Sequence, residues 1–206
     1  MEQPASLANT MPEDRDILEA QIRECFGRVV YSHKTHEKCA DILLDRLSRI
    51  KLGQIVLSAV ITGGLFATVF GSASWVTWLT AIISTALLGL NAYTKDYDLG
   101  ELAQKHRRAA SDLWLIREQY LSLLTDLAIR GSSIEQIREQ RNSLLERLHA
   151  IYSGAPSTNF QAYRKAQEAL KKYEDMTFSV EEIDAFLPNE LKKSKRQSAL
   201  PASNVD

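Results

Sequence analysis

The distribution of charged residues along the chain is broken by one long uncharged stretch. Residues 52–94 contain no Asp, Glu, Lys, Arg or His, and they form two apolar runs, 52–70 and 75–93, joined by the small residues 71–74. Because a helix rises about 1.5 Å per residue, 19 residues cover roughly the 30 Å hydrocarbon layer of a bilayer. A helix pair buried in a soluble protein normally keeps a charged stripe, which both runs lack. The pattern therefore predicts a transmembrane helical hairpin.

Basic residues on both flanks predict the orientation of this hairpin. Four lie before the first run and four after the second, and the turn between the runs is uncharged: Lys38, Arg46, Arg49, Lys51, Lys95, Lys105, Arg107 and Arg108. The positive-inside rule places both termini in the cytoplasm. Trp75, Trp78 and Tyr93 lie near the ends of the second run, where aromatic rings favour the headgroup level.

A heptad repeat follows the second run and predicts that the helix continues into the cytoplasm. Its positions alternate at intervals of three and four residues, as in the seam of a coiled coil or helix bundle. This cytoplasmic seam comprises Leu99, Leu102, His106, Ala109, Leu113, Ile116, Tyr120, Leu123 and Leu127. Ala40, Leu43, Leu47 and Ile50 show the same spacing before the first run, so that helix is expected to enter the membrane directly.

The expected fold is an all-α membrane protein, with a two-helix transmembrane hairpin continuous with a cytoplasmic helical bundle or coiled coil. We expect a disordered N-terminus at 1–11, one domain at 12–190 and a disordered basic tail at 191–206. Within the domain, cytoplasmic helices occupy 12–51 and 94–188, on either side of the hairpin. The segment Ser132–Glu135 resembles a capping box that starts one of these helices, and Ser179–Glu182 is expected to start a last short one.

Charge and motifs exclude several functional classes. The net charge of -1 argues against a general nucleic-acid binder, which needs a basic surface. Cys25 and Cys39 fall on the cytoplasmic side, where thiols stay reduced. The sequence contains no phosphate-binding loop, dinucleotide-binding loop or nucleophile elbow. We therefore expect neither an enzyme nor a bound cofactor.

Polar and small residues inside the runs are the main candidates for function. Polar stripes are formed on the first run by Gln54, Ser58 and Thr62, and on the second by Thr77, Thr80, Ser84 and Asn91. Such residues either line a weakly polar pore or hold helices together within or between hairpins. Small residues that favour tight packing recur every four positions: Ala59, Gly63 and Ala67, then Ala81, Thr85 and Gly89. A single hairpin encloses no pore, so the pore interpretation requires a homo-oligomer.

Histidines form the remaining candidate cluster. His33, His36, Glu37 and Cys39 have spacings compatible with zinc ligands, but packed or solvated roles are commoner for such residues, and no metal site is expected. His106 interrupts the apolar seam, either as a buried polar residue that sets helix register or as a pH-responsive group. We favour the register role.

Several segments of the chain resemble the SLATT family, the two-transmembrane effectors associated with SMODS nucleotidyltransferase and SLOG nucleotide-sensor domains in bacterial conflict systems. The segments are 36–41 (beginning His36-Glu37-Lys38-Cys39), 49–51, 92–100 (beginning Ala92-Tyr93-Thr94-Lys95), 103–106 and 113–123. The resemblance extends over about residues 25 to 190.

The resemblance implies an effector in the bacterial inner membrane, with both termini cytoplasmic. Such an effector oligomerises and forms a pore or otherwise disrupts the membrane, so that an infected cell dies or arrests. A regulatory sensor or a nucleotide-signal synthase would act on it in trans, since the chain contains no recognisable sensor or synthase domain. The alternative is a constitutive two-span scaffolding protein that oligomerises through its coiled coil.

Overall fold

The computed structural model describes residues 5–71, 74–188 and 192–193, with side chains described from Asp14 onward. Six helices follow one another: α1 (Ala5–Phe70), α2 (Ser74–Asp96), α3 (Leu99–Ala128), α4 (Ile134–Gly154), α5 (Phe160–Lys172) and α6 (Val180–Phe186). The described part of the chain contains no strand, which confirms the all-α prediction. It divides into two compact units, one ending at Ala166 and one beginning at Gln167.

Two apolar helical stretches, one in α1 and one in α2, are long enough to cross a membrane. Their apolar windows are 0% and 6% buried in the monomer, whereas helices in the core of a soluble protein are mostly covered. The apolar surface therefore faces lipid or another copy of the chain. This burial agrees with the hairpin prediction and not with the soluble alternative.

Helix α1 carries one packing seam from the domain outside the membrane into the first span. It packs on α3 outside the bilayer and on α2 within it. Its buried and partly buried positions continue the heptad spacing without a break across the boundary at Leu52: Ala40, Leu43, Leu47, Ile50, Gln54, Leu57, Ile61, Gly64 and Thr68. One continuous helix thus joins the helical core to the first span.

The ends of the domain differ from the expectation. Helix α1 already begins at Ala5, inside the segment expected to be disordered, while residues 1–4 lie outside the described residues. Ala and Leu in this segment favour helix, and the helix that follows supplies the nucleus from which it extends. The predicted disordered tail at 191–206 also lies outside the described residues, apart from Lys192 and Lys193.

A short break separates α2 from α3, where one continuous helix was expected. The side chain of Asp98 accepts a hydrogen bond of 2.8 Å from the backbone N–H of Glu101 and so caps α3. The backbone N–H of Leu99 donates to the carbonyl of Tyr97 at 2.9 Å. Because the Asp98 side chain satisfies a free backbone N–H at the start of a new helix, α2 ends before it and α3 begins at Leu99.

One residue of the predicted seam is not buried. Leu102 is 37% exposed, and Ala103, at 1%, occupies the packed position in its place. The other eight predicted seam residues are buried: Leu99, His106, Ala109, Leu113, Ile116, Tyr120, Leu123 and Leu127.

The core of the domain outside the membrane lies between α1, α3 and α4. Ile22 and Val29 from α1 pack with Leu113, Ile116 and other α3 residues, and α4 adds its buried apolar residues at the far end. The Arg15 guanidinium donates to the Leu127 carbonyl at 2.8 Å and ties the start of α1 to the end of α3. Helix α4 begins with a capping box between Ser133 and Gln136, one residue later than predicted.

The second unit contains the end of α5 and the short α6. Ser179 caps α6 at the predicted helix start and forms a capping box with Glu182. The Asp184 carboxylate accepts a hydrogen bond of 3.0 Å from the backbone N–H of Lys193, which ties the following segment back onto the helix.

Gly64 provides a test of hairpin packing. A Cβ on Gly64 would collide with Oγ1 of Thr80, whereas one on Gly63 would have nothing within 4 Å. We expect Gly64→Val to destabilise the packing of α1 against α2 by about 1–3 kcal/mol, the usual cost of overpacking. The thermal midpoint of the full-length protein in detergent should fall, and Gly63→Val should leave the monomer's midpoint unchanged. Equal effects of the two variants would contradict the close approach at Gly64.

Candidate functional site

Polar residues near the open end of the hairpin, away from its turn, hold the two spans together. Nε2 of Gln54 donates to Oδ1 of Asn91 at 2.8 Å and to Oγ1 of Thr94 at 3.3 Å. Thr80 is buried against Gly64, and its hydroxyl donates to the Val76 carbonyl at 2.8 Å. The structure therefore places Gln54, Thr80 and Asn91 of the predicted stripes in contacts between or within the spans.

The other predicted polar residues lie on one side of the hairpin. Ser58, Thr62, Thr77 and Ser84 are exposed in the monomer. At 3.6 residues per turn, each of these four residues lies about 80–130° around its helix from the seam that joins the spans, and all four are displaced in the sense in which the helix winds. The two helices are right-handed and antiparallel, so a displacement in that sense points to the same side of the hairpin on both helices. The hydrogen bond between Gln54 and Asn91, which lie at the seam edge nearest these residues, agrees with this placement. We call this face the polar side.

The opposite broad face of the hairpin contains only apolar residues through the middle of the bilayer. Val56 and Val60 of α1 lie there beside Leu79, Ile82 and Ala86 of α2, all of them exposed. Trp75 and Tyr93 lie on this face near the ends of the second span, at the depth expected for headgroups. We call it the apolar side, and its composition suits contact with lipid.

Most of the small residues lie on the two narrow ends of the hairpin, away from its own seam. Ala59 and Gly63 are exposed there on α1, as are Ala81, Thr85 and Gly89 on α2, whereas Ala67 is exposed on the apolar side, in line with Val56 and Val60. A Cβ at Gly63 or Gly89 would meet nothing within 4 Å. These residues therefore do not pack the two spans of one hairpin against each other. We call the two surfaces the back faces.

A buried histidine pair joins α1 to α3 below the hairpin. Nδ1 of His36 lies 2.9 Å from Nδ1 of His106, and the side chains are 3% and 2% exposed. One nitrogen must donate and the other accept, so the two neutral rings hold opposite tautomers. This polar contact inside an apolar seam favours one register of α1 on α3, the role expected for His106 from the sequence.

The neighbours of the pair do not make a metal centre. His33 faces Glu37 at 3.7 Å, and the Cys39 thiol lies 4.0 Å from Nδ2 of Asn159. Within the described part of the chain, no group of three or more His, Cys, Asp or Glu side chains is placed to hold a metal ion. Burial raises the pKa of the Cys39 thiol, which keeps it protonated and unreactive.

The histidines make stability depend on pH. Burial, the neighbouring His106 and His33 lower the pKa of His36 from 6.5 to about 4, and burial also lowers the pKa values of His33 and His106. Glu37 opposes the shift at His33, and Arg117 adds to it. Since the unfolded chain binds these protons first as pH falls, the stabilisation is complete above pH 6.5 and is lost toward pH 4.

We therefore expect the full-length protein to lose stability between pH 6.5 and pH 5, by about 1–2 kcal/mol for His36 alone. Urea unfolding in detergent at several pH values measures the slope. His36→Gln should flatten the slope over this range, and substituting the exposed His149 should not. An unchanged slope in the His36 variant would contradict the assignment.

These features define the chain as a membrane protein with two spans and a helical domain outside the membrane. The family model described as SMODS and SLOG-associating 2TM effector domain family 4 matches residues 18–182. The chain belongs to this family, and membership makes it a membrane effector of conflict systems. No curated protein and no solved structure matches it significantly.

Proposed function

We propose that this protein is an effector of a bacterial anti-phage or conflict system that oligomerises and forms a pore, or otherwise disrupts the inner membrane. A partner sensor or a nucleotide signal acting in trans triggers it, and the cell then dies or arrests. Family membership supports the effector role. The proposal needs no catalytic step and no cofactor.

The observation that carries the pore proposal is the difference between the two broad sides of the hairpin. One exposes Ser58, Thr62, Thr77 and Ser84 among the apolar Leu65, Val69 and Leu88, and the other is apolar throughout with aromatic ends. Ser58 and Thr62 donate to carbonyls of their own helix at 2.8 and 2.9 Å, which reduces the cost of facing lipid. Thr77 and Ser84 are the exposed hydroxyl residues of this side on α2.

The back faces supply a way to assemble such hairpins. Small residues let helix backbones approach closely in a membrane, and each hairpin presents them at both narrow ends. Packing the α1 back face of one copy on the α2 back face of the next is a heterologous contact, which closes into a ring when the rotation permits. In such a ring the polar side of every copy faces the lumen and the apolar side faces lipid.

Controlled expression in a bacterium tests the proposal. Induction should admit a membrane-impermeant dye and collapse the membrane potential within the period in which growth stops. The alternative, a constitutive scaffolding protein, predicts an intact membrane at the same protein level. A sealed membrane in cells that hold the oligomer and its trigger would contradict pore formation.

The orientation gives a separate prediction. Basic residues flank both spans and are absent from the turn, so both termini should lie in the cytoplasm. Reporter fusions at residues 30 and 206 should report cytoplasm, and one inserted at Ser72 should report the opposite side of the inner membrane. A cytoplasmic result at Ser72 would exclude the two-span topology.

A further inference from the structure

A polar cavity of about 320 Å³ lies beside the buried histidine pair. Its walls come from α1, the end of α4, the linker 155–158 and the start of α5, all within the first compact unit. The His36 side chain, 3% exposed, forms part of the wall. The pore proposal assigns no role to this cavity.

The cavity walls combine aromatic rings with hydroxyl groups and contain no charged side chain. The rings belong to Tyr31, Tyr152 and Tyr163, and hydroxyls also come from Ser32, Thr35 and the linker. The Tyr152 hydroxyl donates to Ser32 Oγ at 2.7 Å, and the Thr35 hydroxyl donates to the Tyr31 carbonyl at 2.7 Å. Among the described residues, the Tyr31 and Tyr163 hydroxyls form no such bond. These groups suit hydrogen bonding to a ligand.

The absence of charge from the walls restricts the class of ligand. A phosphate or carboxylate is normally bound by Arg, Lys or a helix N-terminus, and none of the wall residues is Arg or Lys. At the N-terminus of α5, which adjoins the wall, the backbone N–H groups of Ala162 and Tyr163 already donate to Asn159. The nearby Lys34 ammonium lies 3.0 Å from the Glu37 carboxylate and is not part of the wall. Tyr31 and Tyr163 stack with ring centroids 6.0 Å apart and offer faces and edges to a further ring.

We propose that this cavity binds an uncharged small molecule with a planar ring whose edge carries hydrogen-bond donors and acceptors, and that its occupancy regulates the hairpin. Nucleosides and free nucleobases have this chemistry. The regulatory part of the inference rests on the proposed effector function, and the binding part does not.

The histidine pair connects the cavity to the spans. Nδ1 of His36 bonds to His106, which leaves Nε2 as the ring nitrogen for a ligand. A ligand that donates to Nε2 fixes the proton of His36 on Nδ1, and a ligand that accepts from Nε2 fixes the opposite tautomer. The ligand thereby determines which histidine donates across the α1–α3 contact. Helix α1 continues from this contact into the first span without interruption.

Binding of four nucleosides, their free bases and their 5′-monophosphates to the purified full-length protein in detergent tests the proposal by saturation-transfer NMR. We expect at least one uncharged probe to bind, and its monophosphate to bind no more tightly. Tyr163→Ala should weaken binding about tenfold, as expected for the loss of one stacking ring. Tyr163 is 43% exposed, so the variant should fold, and Tyr173→Ala, at a 67% exposed tyrosine outside the cavity, is the matched control.

Three results would overturn the proposal: no uncharged probe binds, the monophosphates bind much more tightly than the nucleosides, or Tyr163→Ala and Tyr173→Ala bind alike. Dye uptake by cells that express the same variants is measured separately. A protein that leaks but binds no probe refutes the cavity assignment alone. A protein that binds a probe but leaks in no state refutes the effector proposal and leaves the binding site standing.

Discussion

Leu113→Asp is expected to unfold the helical core outside the membrane. Leu113 is fully buried on α3 within the cluster that α1 and α4 share. An aspartate there would place a charge in an apolar site without a partner, at a cost of several kcal/mol, about 3 or more. That cost is a large fraction of the roughly 5–15 kcal/mol that stabilises a typical domain.

Limited proteolysis and circular dichroism of the full-length protein in detergent measure the effect. The matched control is Leu102→Asp, on the same helix and with the same chemical change, at a position that is 37% exposed. The Leu113 variant should lose protease resistance in the α3–α4 region, and the Leu102 variant should keep it. If both variants resist protease like the parent, the seam is not packed as described.

The second large effect is expected in the membrane. Thr77→Leu combined with Ser84→Leu makes the polar side of α2 apolar without touching the contact between Gly64 and Thr80. If this side lines a water-filled path, the double variant should stop dye uptake, because an apolar constriction favours dewetting of the lumen. Oligomer size in detergent should not change, since the back faces remain intact.

Ala86→Leu, on the apolar side of the same helix, is the matched control and should leave dye uptake unchanged. Loss of both leakage and oligomer in the double variant would show that Thr77 and Ser84 pack against another copy. Leakage equal to that of the parent would remove the polar side from the mechanism.

The hairpin was predictable because its defining properties, the length of each apolar run and the lack of charge in it, can be read directly from the sequence. Two uncharged runs of bilayer length need no tertiary information to be recognised, and α1 ends at the predicted Phe70. The predicted face of α3 also follows from periodicity, because an apolar face with heptad spacing must be covered in a folded domain.

The error at Leu102 concerns the edge of the packed face of α3. Leu102 and Ala103 lie within the same helix, on opposite edges of the face that packs on α1, and spacing within the helix does not decide which edge is covered. The break between α2 and α3 did have a cue in the sequence, since Asp98 is followed three positions later by Glu101, the spacing of a helix cap.

The faces of the hairpin were only partly predictable. The sequence placed Thr80 and Ser84 in one stripe, because they are four residues apart, but the seam runs along the edge of that stripe and separates them. Thr80 packs on Gly64, and Ser84 faces outward. Which edge of a stripe meets the partner helix depends on the rotation of both helices, and periodicity within one helix does not determine it.

Contacts between residues far apart in the chain were the hardest to predict from the sequence. His36 and His106 are 70 residues apart. The sequence did contain a cue. His36 lies four residues before Ala40 and therefore on the heptad seam of α1, and His106 lies on the heptad seam of α3. The cavity had no such cue, because its walls depend on how the linker 155–158 folds against α1.

The central claim is that one broad side of the hairpin faces water in the active oligomer and the other faces lipid. Ser84 and Ala86 are two residues apart, so they lie at nearly the same depth, about 3 Å apart along the helix axis, but on opposite sides. Single cysteines at these two positions, in a Cys25→Ser and Cys39→Ala background, can be treated with a charged thiol reagent in cells undergoing dye uptake. Since the reagent reacts with a water-exposed thiolate, Ser84→Cys should be labelled and Ala86→Cys should not. Equal labelling of the two cysteines, or faster labelling at position 86, would contradict the account.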